Sequence, residues 1–277
     1  MLIEHHTIGD IFARRFKGPK SRYALVISHG IGAHSGIYNK FGAHHGARGV
    51  DIWAYDAPGH GLSTNTRPRG QFQFQEWVDA CIAVAAHAKA ETGLPVIVLG
   101  SSLGVAATFS AMHADVIDGG VLMGSAAVPR SPGMPAASPF CAPEVAMVAK
   151  ILGRSLRFDI MSFVDFEKDY GFAGARDQRT WDPMNLENYQ FDSFVSLVSH
   201  VPVIPPERNT KPILYAYGAD DGMTPLSTVK ATAEAIAGPV RFEIIPGGKH
   251  QLMLFNTEVF SDLLEEWVAP ILAKRKA

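Results

Sequence analysis

The chain has 277 residues, 47% of them hydrophobic and 19% charged, and its 25 Lys and Arg against 27 Asp and Glu leave a formal net charge of −2. This balance excludes a disordered chain and offers no cationic excess for a polyanion, so nucleic acid is not an expected partner. Two cysteines, Cys81 and Cys141, with no C-x-x-C pair, argue against a disulfide framework and a thiolate metal site.

The opening stretch MLIEHHTIGDIFARRF is polar and interrupted, without the apolar run of a signal peptide. No later stretch reaches the roughly 20 apolar residues that cross a bilayer, so a cytoplasmic protein without a transmembrane segment is expected. From residue 21 onward, short apolar runs alternate with helical periodicity. Strands are expected at 23–28 (YALVIS), 50–55 (VDIWAY), 94–99 (LPVIVL), 120–123, 212–217 (PILYAY) and 240–245 (VRFEII). Helices are expected near 37–48, 74–90, 103–113, 225–237 and 257–273. Such alternation implies βαβ units and a mostly parallel sheet flanked by helices, an α/β fold. It breaks over residues 128–210, which carry Pro clusters, scattered aromatics and weak periodicity. A structureless segment of that length is implausible within a compact domain. The expected organisation is therefore a core of 1–127 and 211–277 with 128–210 inserted as a mainly helical cap, or lid, subdomain.

Gly100-Ser101-Ser102-Leu103-Gly104 matches G-x-S-x-G between an apolar strand and an Ala-rich helix. This is the setting of a nucleophile elbow, in which the central Ser is exposed on a strained turn above the sheet and the helix N-terminus favours negative charge. A base is required within hydrogen-bond reach, and His is the usual choice near neutral pH. His250 lies in the Gly-rich loop PGGKH between the last expected strand and the last helix. An orienting carboxylate should precede it in the order Ser, Asp, His. Asp220 and Asp221 both follow the strand PILYAY, and spacing from Gly218 favours Asp221. An oxyanion hole needs two N–H groups, for which the sequence offers Leu103 and, in the loop His29-Gly30-Ile31-Gly32, Ile31. His29 ends a buried strand beside that loop and is expected to support it.

With these residues in place, the chain resembles the α/β-hydrolase superfamily, and within it the monoacylglycerol lipase and lysophospholipase-like group of serine aminopeptidase S33 type. The resemblance rests on SHGIGAHSGIY (28–38), YDAPGHGLS (55–63), GSSLG (100–104), YGADDGMTP (217–225) and GGKH (247–250), in family order. It implies the α/β-hydrolase fold, a triad of Ser102, Asp221 and His250, and oxyanion donors Ile31 and Leu103. Departures are Ser101 where many lipases of the group carry His, Val105 after the second Gly, and Ala33 in the first motif.

The implied chemistry is acyl transfer from a carboxylic ester to water through an acyl-enzyme, with no metal or organic cofactor. The inserted segment contains Met134, Phe140, Met147, Phe158, Met161, Phe163, Phe166, Phe172, Trp181, Phe191 and Phe194. Some of these are expected to line a pocket for a hydrophobic acyl or aromatic group, so the expected partner is a hydrophobic small-molecule ester. C–C bond hydrolysis or non-catalytic ligand binding on the same scaffold are alternatives. A dinucleotide-binding turn at Gly30-Ile31-Gly32 is disfavoured because Ser35 stands where the third glycine belongs. The pairs His5-His6 and His44-His45 read as surface residues rather than metal ligands.

Overall fold

The computed structural model describes residues 2–64, 66–136, 139–162 and 164–274. The chain opens with a hairpin, β1 (Leu2–Ile8) and β2 (Ile11–Lys17), that the sequence pattern did not announce. Then come β3 (Ala24–Ser28), α1 (Asn39–Gly46), β4 (Asp51–Tyr55), α2 (Phe74–Thr92), β5 (Val96–Ser101), α3 (Gly104–Ala111) and β6 (Gly119–Met123). After β6 the chain leaves the sheet through α4 (Pro143–Leu152), β7 (Arg157–Asp159), α5 (Phe166–Tyr170), α6 (Ala175–Trp181), β8 (Asn188–Gln190) and α7 (Phe191–Val198). It returns with β9 (Ile213–Gly218), α8 (Leu226–Glu234), β10 (Val240–Ile245), α9 (Leu252–Phe255) and α10 (Thr257–Lys274).

Eight strands form one sheet in the order β1-β2-β4-β3-β5-β6-β9-β10. The hairpin joins it antiparallel and the remaining six strands run parallel, so this is the α/β-hydrolase fold. Every residue of β3, β4, β5, β6 and β9 is buried, as expected for strands covered on both faces. One face packs Val26, Trp53, Val98 and Tyr215 against α2, α3 and α8. The other packs Leu25, Ile52, Leu99 and Leu214 against Phe41 of α1 and Phe260, Leu264 and Trp267 of α10. Gln73 and Glu76 form a capping box that starts α2, and Gly93, at φ 67°, ends it.

The hairpin escaped detection because Arg14-Arg15 interrupts its alternation. Arg15 is nevertheless buried: its guanidinium grips Asp51 through two bonds of 2.9 Å, reaches Glu4 at 3.0 Å and lies over Trp53. Charge pairing allows a cation where the pattern calls for an apolar residue.

Strand order reverses between β3 and β5, since β3 has β4 on one side and β5 on the other. In such sheets the loops leaving the C-terminal strand ends part there and open a crevice. The loops after β3 and β5 carry Ile31 and Ser102. The 128–210 segment is hydrogen-bonded over this edge: Phe72 N–H and Phe74 N–H donate to Ser193 and Ser196 hydroxyls, and Gln190 N–H donates to Gly70 O, each at 2.9 Å. Among the described residues, no helix is long and apolar enough to cross a membrane.

Candidate active site

Ser102 occupies the turn between β5 and α3 with φ 51°, in the left-handed region that side chains other than glycine rarely adopt. The surroundings enforce that turn. A methyl group on Gly104 would stand 2.3 Å from Ser28 O and 2.5 Å from His29 O, so only glycine lets α3 start this close to β3. Ser102 N–H donates to Met123 O at 3.0 Å, tying the turn to the end of β6.

His250 Nε2 lies 2.9 Å from Ser102 Oγ, and its Nδ1 lies 2.8 Å from Asp221 Oδ2. The other Asp221 oxygen accepts from Met223 N–H at 2.7 Å and Thr224 N–H at 3.2 Å, which fixes the carboxylate. The three groups come from loops after β5, β9 and β10. The β9 and β10 loops touch through Gly218, where an added methyl would meet Gly248 O at 2.4 Å. Burial disfavours the imidazolium of His250. The Asp221 hydrogen bond and the charges of Asp169 and Asp221 outweigh burial and raise its pKa above the ordinary histidine value. Asp220, half exposed, points instead toward Lys249 at 3.7 Å.

The Ile31 and Leu103 amides have no hydrogen-bond acceptor among the described residues, while both residues lie beside Ser102. The buried His29 sits where the sequence placed it. Its Nδ1–H donates to Gly30 O at 2.8 Å, and its Nε2 accepts from Ala57 N–H at 3.0 Å. Burial, the leading cause, holds its pKa down at about 4, so the ring is neutral and that pairing is fixed. Asp56, from YDAPGHGLS, accepts from Ser35 N–H at 2.6 Å and Leu62 N–H at 2.8 Å, joining the first two motifs.

A small cavity of about 10 Å³, room for about one water molecule, adjoins Ser102. It is bounded by Ile31, Ile37, Tyr38, Asp169, Arg179 and Gln251 among others. None of the described apolar residues expected to form an acyl pocket lines it, and Phe163 and the side chain of Phe140 lie outside the described residues. Those side chains are used elsewhere: Phe158 stacks on Phe194 at 4.1 Å, Phe166 lies under Arg179, and Trp181 is 77% exposed. Polar groups reach the site instead. Asp169 Oδ1 lies 3.6 Å from His250 Nε2 and accepts from Gln251 Nε2 at 2.8 Å, and Gln251 Oε1 accepts from Ser101 Oγ at 3.0 Å. Burial pushes the Asp169 carboxyl above its ordinary pKa, against the opposing pull of His250 and Gln251. Only Gln251, adjacent to His250, carried a positional hint in the sequence; Asp169 and Arg179 sit on short helices without a motif.

One surface expectation is corrected. His45 is fully buried, stacked on Phe41 and 2.8 Å from the Tyr23 hydroxyl, because α1 turns it between β3 and α10. Burial, aided by the Arg48 charge, holds its pKa down at about 3. His5 is exposed and His6 and His44 partly so; among the described residues no three His, Cys, Asp or Glu side chains gather as metal ligands.

The family model described as serine aminopeptidase, S33 (Hydrolase_4) matches residues 19–258. A monoacylglycerol lipase of Mycolicibacterium smegmatis is 26% identical over 249 residues, spanning 83% of this chain and 82% of that protein. Among solved structures, a monoacylglycerol lipase of Paleococcus ferrophilus superposes with a TM-score of 0.67 at 22% identity, covering 99% of both chains. A thermostable carboxyl esterase from Bacillus coagulans, in complex with glycerol, superposes with 0.76 at 17% identity, covering 98% of both. The match over most of its length places the chain in the serine aminopeptidase S33 family, among the serine hydrolases of the α/β-hydrolase fold.

Proposed function

We propose that the protein hydrolyses carboxylic esters through a Ser102–His250–Asp221 triad and an acyl-enzyme intermediate. The observation that carries this reading is the continuous chain of hydrogen bonds from Ser102 Oγ through both nitrogens of His250 to Asp221, at 2.9 and 2.8 Å, anchored on a left-handed serine. His250 takes the Ser102 proton as Oγ attacks the carbonyl carbon. The Ile31 and Leu103 amides receive the oxyanion, and His250 then returns the proton to the leaving oxygen. Water, deprotonated by His250, releases the acid, while Asp221 holds the imidazole in the required tautomer and stabilises its charge.

In this reading, residues 128–210 are the cap over a core of 1–127 and 211–277. The M. smegmatis relative is a monoacylglycerol lipase, which favours esters with a hydrophobic acyl group. The space beside Ser102 is far smaller than such a group, so the part of the cap that brings Asp169 against His250 has to withdraw for an acyl chain to enter. Labelling with a fluorophosphonate, located by mass spectrometry and compared with Ser102→Ala, tests the nucleophile, and a p-nitrophenyl ester series tests the acyl preference. Modification confined to Ser102 is expected. A folded protein that stays unlabelled, or a kcat/KM that does not change with acyl length, would overturn the corresponding half of the reading.

A further inference from the structure

The hydrogen bonds around the loop after β3 fall on three successive peptide planes, the last of which, between Gly32 and Ala33, donates from Ala33 N–H back to Gly30 O at 3.2 Å. The first, between Gly30 and Ile31, carries the Ile31 N–H. Its carbonyl oxygen, Gly30 O, is held from the core by His29 Nδ1–H at 2.8 Å. Because carbonyl and N–H point in opposite directions across a trans peptide, drawing Gly30 O toward His29 turns the Ile31 N–H the other way. The second plane, between Ile31 and Gly32, is gripped at both ends by side chains of the 128–210 segment. Arg179 of α6 donates to Ile31 O at 3.0 Å, and Gly32 N–H donates to the Tyr189 hydroxyl of β8 at 2.7 Å. Leu186 N–H adds a third bond, to Gly32 O at 2.8 Å.

Both grips are themselves fixed. The Tyr189 hydroxyl donates to His60 Nε2 at 2.9 Å, and His60 Nδ1–H donates to Pro58 O at 3.0 Å, so the phenol has one orientation. Arg179 is 5% exposed, and its guanidinium lies 4.2 Å from the Phe166 ring and reaches Asn185 Oδ1 at 3.4 Å. The loop is closely packed at Gly32. Gly32 has φ 59°, and a methyl on it would meet Ile160 at 2.4 Å and Arg179 and Leu186 O at 2.5 Å.

We infer that Arg179 and Tyr189 are positioning residues for the oxyanion hole, clamping the Ile31–Gly32 peptide so that the Ile31 amide is presented to the tetrahedral intermediate only while this part of the 128–210 segment is docked. Neither side chain has to touch substrate. The consequence is a division within that segment: the strip from Arg179 to Tyr189, with Phe166 beneath Arg179, must stay in place during turnover, and any opening falls to other parts, such as the end of α5 that carries Asp169. The inference rests on the triad and the Ile31 oxyanion donor proposed above.

The test uses the full chain with Tyr189→Phe, Arg179→Met and Arg179→Lys beside wild type and Ser102→Ala. The readouts are kcat and KM on a short-chain p-nitrophenyl ester and the Ki of an aryl trifluoromethyl ketone, whose adduct with Ser102 carries the oxyanion. Outright loss of an oxyanion donor typically costs about 10²–10³ in rate, so a misplaced one is expected to lower kcat by roughly 10-fold or more. KM should stay within about twofold while the ketone Ki rises in parallel with the fall in kcat, and Arg179→Lys should be impaired less than Arg179→Met. As a check that needs no variant, the Gly32 amide of the wild type is expected to exchange slowly with deuterium. Unchanged kcat in well-folded variants, a fall in melting temperature alone, or fast exchange at Gly32 would overturn the clamp. An active wild type with Ser102→Ala dead and the clamp variants unimpaired overturns only this inference. A wild type inert to both ester and ketone overturns it together with the triad reading.

Discussion

The sheet with its strand-end loops and the 128–210 segment contribute to the site in different ways. The sheet supplies Ser102, His250, Asp221 and the two unpaired amides, all on loops at the C-terminal ends of its parallel strands. Backbone crowding at Gly104, Gly124 and Gly218 holds them in place. The segment supplies none of these groups; its Asp169, Arg179 and Tyr189 press on them from outside. Changes in the first region should therefore abolish the chemistry or the fold, and changes in the second should tune rate, pH dependence or access.

The largest expected effect is that of Ser102→Ala, which should lower kcat by on the order of 10⁶-fold, with Asp221→Asn costing on the order of 10⁴-fold through loss of the tautomer that Asp221 enforces. Burst and steady-state kinetics on a p-nitrophenyl ester check both; a loss below about tenfold in either would break the assignment of chemistry to the sheet loops. Gly104→Ala brings a methyl against two backbone oxygens, Ser28 O and His29 O, which cannot yield. A cost of about 3 kcal/mol or more is expected, read as a melting temperature lower by roughly 6–12 °C or as failure to fold.

Asp169→Asn sharpens the contrast, since it alters the segment's charge without touching the triad's hydrogen bonds. In the proposed mechanism His250 must be neutral to act as base, and the Asp169 carboxylate helps hold its pKa above the ordinary value. Removing that charge lowers the pKa, so the acid limb of the kcat/KM profile should move to lower pH. A limb that stays put or moves upward would mean that Asp169 does not act on His250 as a charge. Trp181→Ala should do least: the side chain is 77% exposed, so stability by thermal melts is expected to change by less than about 0.5 kcal/mol.

The same contrast governs what the residues alone disclosed. Five of the six parallel strands were readable because a strand buried on both faces must be a short apolar run, and GSSLG, YGADDGMTP and GGKH stood out because tight turns at strand ends require glycine. Local chemistry determined both, so local reading found them. Within 128–210, α5 has five residues, α6 seven and α7 eight. Helices that short draw their stability from docking rather than from their own periodicity. Tyr189 and Asp169 owe their roles to partners on other elements, His60 and Gly32 for one and His250 and Gln251 for the other. No sequence spacing encodes such meetings. The β1–β2 hairpin was missed for a related reason: Arg15 is buried only because Asp51, 36 residues away, pairs with it.

The backbone of Ser102 carries a further consequence. At φ 51° a β-carbon is disfavoured, and glycine adopts this conformation freely. Ser102→Gly should therefore unfold at a higher temperature than the wild type while doing no chemistry at all. A library of variants screened for heat resistance alone would drift toward that substitution, and each generation would grow sturdier as it lost the proposed nucleophile.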